Sequence, residues 1–82
     1  MNEGNINRQG YDLLGSGRSA LAKDLFKVNM VLYPKSSNVY DSFGEACMKN
    51  GDKLLAIANY KKSLELDPGN KNALKMLEEL QK

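Results

Sequence analysis

Residues 37–70 read SNVYDSFGEACMKNGDKLLAIANYKKSLELDPGN, and the pattern inside this stretch decides the fold. Tyr40, Phe43, Cys47 and Met48 recur at i, i+3, i+7 and i+8, the spacing of one helix face. Gly44 sits inside that face. Glycine costs a helix interior about 1 kcal/mol relative to alanine, so a neighbouring helix is expected to approach closely there. Asn50-Gly51 ends the segment, because glycine readily takes the left-handed conformation of a helix C-cap, and Asp52 stands where it can cap the next helix. That second helix carries Leu55, Ala56, Ala58, Tyr60, Ser63, Leu64 and Leu66, with Lys53, Asn59, Lys61, Lys62 and Glu65 at more solvated positions. Pro68 closes it.

Moved back by 34 residues, the stretch falls on the segment before it. Gly44 lands on Gly10, Gly51 on Gly17, Ala56 on Ala22, Tyr60 on Phe26, Leu64 on Met30, Leu66 on Leu32 and Pro68 on Pro34. Moved forward, Tyr40 lands on Leu74 and Phe43 on Leu77, so a third copy begins and stops halfway. A period of this size marks a unit that cannot bury its apolar face alone and must stack on its neighbours. The grammar of breaks and caps predicts five helices, at about 6–15, 18–32, 37–49, 53–66 and 71–81, with no strand. Ser36 or Ser37 is placed to cap the third and Asn70 the fifth, while residues 1–5 are polar and expected to be frayed.

Tyr40, Phe43, Gly44, Ala56, Tyr60, Ser63 and Pro68, with Gly51-Asp52 between, resemble the signature of the tetratricopeptide repeat. The resemblance implies an all-α fold, antiparallel helix-turn-helix repeats stacked as a short right-handed superhelix. It implies one domain over 1–82: a first repeat at about 3–36, a second at 37–70 and a solvating cap helix at 71–82. The first copy departs at Gln9, where a large aliphatic is usual, and at Asn29, where alanine is usual. Each is either a polar group near the core that needs a hydrogen-bond partner or the mark of a partly open terminal repeat. The run from Asn7 to Leu80, with Gly10-Tyr11, Tyr33-Pro34 and Tyr40-Asp41-Ser42, is also similar to short repeat tails at the C-termini of some bacterial serine hydrolases and esterases.

The chain is short enough, at 82 residues, that much of its surface stays exposed. Twelve basic and ten acidic residues are interleaved, giving a net charge of +2, and only Arg8 and Arg18 are arginine. Nucleic-acid binding calls for a clustered basic stripe, and none is present. With no histidine and one cysteine, an internal disulfide and a Cys/His metal site are excluded by count. Cys47 reads as a small buried apolar residue. Gly15-Ser16-Gly17 lacks the spacing and Lys-Ser/Thr ending of a phosphate loop and reads as an interhelix turn. No catalytic constellation assembles, so neither an enzyme nor a cofactor is expected. No apolar run reaches the roughly 18 residues of a membrane span, and a soluble, cytoplasmic chain is expected if the sequence is complete.

Members of the repeat family bind peptides in the concave groove lined by the first helix of each repeat. By the resemblance that face comprises Asn7, Tyr11 and Leu14, then Asn38, Asp41, Glu45 and Met48, then Asn72, Lys75 and Glu79. Tyr11 is either an anchor for a ligand or packed onto Leu14. Asp41, Glu45 and Lys49, at i, i+4 and i+8, fit a solvated helix face as well as a binding one. One use of such grooves is a clamp of lysines, asparagines and arginine on the C-terminal carboxylate of chaperones. Its positions hold Asn7, Tyr11, Ser42, Asn72 and Met76 here, none cationic, so that function is expected to be absent. The expected partner is a protein or peptide, with neither nucleic acid nor membrane. Two and a half repeats also leave open ends through which copies of the chain could associate as a homo-oligomer.

Overall fold

The computed structural model describes residues 2–82. Five helices follow one another: α1 (Glu3–Gly15), α2 (Ser19–Leu32), α3 (Ser37–Lys49), α4 (Lys53–Leu66) and α5 (Lys71–Leu80). There is no strand among the described residues, and no helix is long and apolar enough to cross a membrane. Helix pairs α1–α2 and α3–α4 each fold back on themselves, and α3 and α5 pack on the second helix of the pair before them.

The breaks follow from backbone chemistry. Gly17 and Gly51 have φ of 80° and 85°, the left-handed region that a side chain disfavours. Beyond each glycine the chain hydrogen-bonds back into the helix it leaves. Arg18 N–H reaches the Leu13 carbonyl at 2.9 Å, and Asp52 N–H reaches that of Cys47 at 2.8 Å. Together with the Gly17 to Leu14 and Gly51 to Met48 bonds of 3.1 and 3.2 Å, these form a Schellman C-cap in both repeats. The proline turns are likewise equivalent, closed by Ser36 N–H on the Tyr33 carbonyl at 3.1 Å and Asn70 N–H on that of Asp67 at 3.0 Å.

Local capping departs from expectation at three helix starts. Helix α1 starts at Glu3 rather than Ile6, because the Asn2 side chain accepts the Asn5 N–H at 2.8 Å and anchors the first turn. Of the segment expected to fray, residues 3–5 are therefore helical, and Met1 lies outside the described residues. Asp52 occupies the N-cap of α4 without a side-chain capping bond, its carboxylate being taken by Lys23 of α2 at 2.5 Å. Neither Ser36 nor Ser37 caps α3 through its side chain; Ser36 Oγ donates to Glu3 and Ser37 Oγ to the Ser63 carbonyl. Asn70 does cap α5, accepting the Ala73 N–H at 3.1 Å.

The core is a run of ring-on-glycine contacts extended by small residues. The Phe26 ring of α2 lies on Gly10 of α1, and the Tyr60 ring of α4 lies on Gly44 of α3. A Cβ built on Gly10 would stand 2.1 Å from a Phe26 ring atom, and one on Gly44 3.1 Å from the Tyr60 ring. Both glycines thus permit the close approach inferred from their place on an apolar face. Ala22, Ala46, Ala56, Cys47 and Ala73 are fully buried around the two rings, with Phe43 and Leu77 nearly so. Burial pushes the Cys47 thiol up to about 11, which leaves it protonated at neutral pH.

Gln9 takes the open-repeat alternative, and Asn59 reverses its expected exposure. Gln9 is exposed, because nothing covers the side of α1 where its counterpart Phe43 meets α2. Asn59 is buried and donates to the Leu55 carbonyl at 2.8 Å, while Leu55 and Ala58, read as inward, are exposed. Asn29 is fully buried, with Nδ2 donating to the Glu3 carbonyl at 3.1 Å and Oδ1 without a protein partner.

Candidate functional site

The first helices of successive repeats bring their polar side chains into one continuous face. Ser42 Oγ of α3 donates to Asn7 Oδ1 of α1 at 2.5 Å. One helical turn along, the Tyr11 hydroxyl of α1 donates to Glu45 Oε1 of α3 at 3.2 Å. On the other side of α3, Asp41 accepts from Asn72 Nδ2 at 2.8 Å and from Asn70 Nδ2 at 2.9 Å, linking α3 to the start of α5. Five of the expected site residues, Asn7, Tyr11, Asp41, Glu45 and Asn72, therefore make inter-helix bonds along this face. Asn38 lines the depression beside Asp41 together with Ser37, Asn70 and Lys71. Leu14 and Met48 are half-buried and pack against the core. Lys75 and Glu79 are exposed on α5 and enter no hydrogen bond among the described residues.

Tyr11 is apolar on one side and hydrogen-bonded on the other. Its ring meets Phe26 edge to face, centroids 5.2 Å apart at 63°, so the apolar half packs inward on the ring that fills Gly10. Its hydroxyl turns to Glu45. Desolvation raises the phenol to about 12, and the nearby Glu45 and Asp41 carboxylates oppose its ionisation further. Tyr60 lies below the same carboxylates, fully buried, with a hydroxyl that has no protein partner and a pKa raised chiefly by burial.

Asp41 and Glu45 are satisfied only by neutral donors. The ion pairs among the described residues are Lys23–Asp52 and Lys62–Glu65, both elsewhere. The face accordingly presents two carboxylates, four residues apart on one helix, whose charge no basic side chain offsets within ion-pair distance. A hydroxyl and two amides orient them.

Sequence reasoning gave Asn70 only a capping role and missed the hub beneath it. Asn70 spans both functions: Oδ1 caps α5 while Nδ2 reaches Asp41 and, at 2.9 Å, Ser63 Oγ. Ser63 Oγ donates to the Ser37 carbonyl at 2.8 Å, and Ser37 Oγ returns a bond to the Ser63 carbonyl at 3.0 Å. The available signal was Ser63 itself, a hydroxyl at a position flanked by core residues. At the other end, Lys23 to Asp52 and Ser19 to Asn50 tie α2 to the α3–α4 turn. The Lys23 contact holds the Asp52 carboxyl below its ordinary value and raises the Lys23 ammonium.

A solved structure described as the first TPR of Spaghetti (RPAP3) bound to the HSP90 peptide SRMEEVD superposes on the chain with a TM-score of 0.91. The chain has the tetratricopeptide-repeat fold. The match covers 98% of this chain at 20% sequence identity, and this chain spans 64% of the other's length. No family model matches the sequence, and no curated protein does so either. The likeness accordingly rests on backbone geometry.

Proposed function

We propose that this chain is a non-catalytic protein-interaction module, two repeats (3–36 and 37–70) and a cap helix (71–82) acting as one unit. It takes an extended peptide along the concave face of α1, α3 and α5. The observation that carries the reading is the uncompensated pair Asp41 and Glu45 beside the half-buried Tyr11. Such a face suits a ligand with a lysine or arginine set against the carboxylates and an apolar side chain set against the tyrosine ring. That a similar fold is described in complex with a peptide supports the general role.

The same residues argue against the acidic tail bound by that neighbour. Asn72 Nδ2 already donates to Asp41, Ser42 takes only the Oδ1 acceptor of Asn7, and none of the five clamp positions is cationic. A terminal carboxylate placed there would face Asp41 and Glu45 without compensation.

The test is a titration of the chain with three synthetic peptides by fluorescence anisotropy. One alternates lysine and leucine, one alternates glutamate and leucine, and the third is SRMEEVD. Only the first is expected to bind, more weakly as salt screens it over about 8 Å at physiological ionic strength. Glu45→Lys should abolish that binding, and Tyr11→Ala should weaken it by about 1–2 kcal/mol. Glu45 is the cleaner probe, since Asp41 also holds α5 in place. Preference for either acidic peptide would overturn the reading.

A further inference from the structure

The outer face of α2 is apolar and uncovered. Leu21, Val28, Val31 and Leu32 are 53%, 49%, 74% and 56% exposed, and with Asp24 and Lys27 the last three line a shallow depression. Leu21, Asp24, Val28 and Val31 stand at i, i+3, i+7 and i+10, which is the seam spacing of a two-helix coiled coil. This is no general property of the repeat. The corresponding positions on α4 are Leu55, Ala58, Lys62 and Glu65, half of them charged.

A preceding repeat would not cover it. Within the chain, α2 receives Val39, Phe43 and Ala46 of α3, all buried. Their counterparts on α1, which a preceding repeat would meet, are Asn5, Gln9 and Asp12, all exposed and polar. That end is already solvated, and the apolar face lies elsewhere.

We propose that α2 pairs antiparallel with α2 of a second copy about a two-fold axis near Phe26. The seam is self-complementary in that arrangement. Leu21 stacks over the partner's Val31 and Val28 beside the partner's Asp24, and two-fold symmetry repeats each contact. Asp24 and Lys27, the charged pair of the patch, lack an ion-pair partner among the described residues. In the antiparallel pair each Asp24 comes within one residue of the partner's Lys27. Charge complementarity thus selects a second copy over an arbitrary apolar partner. A single 14-residue helix buries less than the roughly 1,200 Å² of a standard stable interface, so the dimer is a weak one, forming at about 100 µM and above.

The experiment is sedimentation equilibrium of the full chain over a concentration series. Wild type is expected to pass from monomer to dimer mass. Asp24→Lys and Lys27→Asp, each placing like charges together, should each raise the dissociation constant about tenfold. The double variant carrying both changes should return it to within a few-fold of wild type, and an equimolar mixture of the two single variants should form the heterodimer. All of these positions are exposed, so unchanged helical content by circular dichroism confirms that the variants fold. A strictly monomeric mass at the solubility limit would overturn the proposal, as would a dimer indifferent to both charge changes.

Discussion

Gly10→Ala is the most exacting test of the packing. The new Cβ would stand 2.1, 2.5 and 2.7 Å from three atoms of the Phe26 ring, where ordinary contact begins at 3.4 Å. That ring is fully buried and also meets the Tyr11 ring, centroids 5.2 Å apart, so it has little room to swing clear. Overpacking of this kind costs about 1–3 kcal/mol, and the clash places it in the upper half. Replacing glycine in a helix returns about 1 kcal/mol of propensity. The expected net loss is about 1–2 kcal/mol, or roughly 5–15 °C in Tm for a domain of this size.

Gly44→Ala is the internal comparison. Its Cβ would stand 3.1–3.2 Å from the Tyr60 ring, a shortfall of a few tenths of an ångström. The propensity gain then nearly cancels the strain, and Tm should move by only about 3 °C or less. The larger Gly44→Leu should cost about 1–3 kcal/mol, whereas Lys62→Leu, on the outside of α4, should be nearly neutral. Urea and thermal unfolding read all four. A second arm isolates the contact: in a Phe26→Leu background the ring atoms are gone, and Gly10→Ala should lose about 1 kcal/mol of its penalty as a coupling energy. Equal stability of Gly10→Ala and Gly44→Ala, or strict additivity with Phe26→Leu, would refute the ring-on-glycine reading of α1.

Two further outcomes follow from the polar network. Tyr11 holds its proton to about pH 12 in the folded chain but only to about 10 when unfolded; the folded state therefore binds the extra proton between them, and stability should fall as pH rises across that window. Tyr11→Phe should flatten that part of the urea-midpoint profile, and an unchanged slope would remove the assignment. Ser63→Ala, close in volume, removes the donor to the Ser37 carbonyl and an acceptor of Asn70; it should cost about 1–3 kcal/mol and speed amide exchange in α5, and a neutral result would show the hub to be dispensable.

What was legible in the sequence was whatever is encoded locally. Gly17, Gly51, Pro34 and Pro68 punctuate the backbone wherever they stand, and four of the five helix starts fall within one residue of expectation. Glycine on an apolar face pointed to a close neighbouring helix, and the structure supplies the Phe26 and Tyr60 rings there. Exposure of polar residues was harder to read. Asn59 looked solvated by type yet finds a carbonyl one turn back, and Gln9, which repeat register left between the core and an open end, meets no neighbour. Asp52 left its cap for Lys23, which is 29 residues distant in sequence. For Gln9 and Asp52 the deciding partner is missing from a neighbouring helix or belongs to one, which single-sequence periodicity does not register, whereas Asn59 bonds within its own helix.

The two repeats differ in how firmly they are held, and that difference bears on the binding face. Helix α3 buries six residues, from Val39 to Cys47, whereas α1 buries Ile6 and Gly10. At the repeat position where Ser63 is fully bonded, Asn29 leaves Oδ1 buried and unpartnered, a desolvation cost of about 1–3 kcal/mol that falls on the α1–α2 pair. Helix α1 is docked by the buried Ile6, the Phe26 contact, two bonds to Glu3, and the Asn7–Ser42 and Tyr11–Glu45 links. Helix α1 is therefore held less firmly than α3, and two of its ties are themselves residues of the proposed groove. A ligand bridging Tyr11 and Glu45 would bind and also secure α1, since it contacts both sides of the seam only when α1 is docked. Its apparent affinity would be reduced by the fraction of chains in which α1 is undocked. Strengthening the dock from behind, at Asn29 and away from the groove, would then raise affinity without adding a single contact to the peptide.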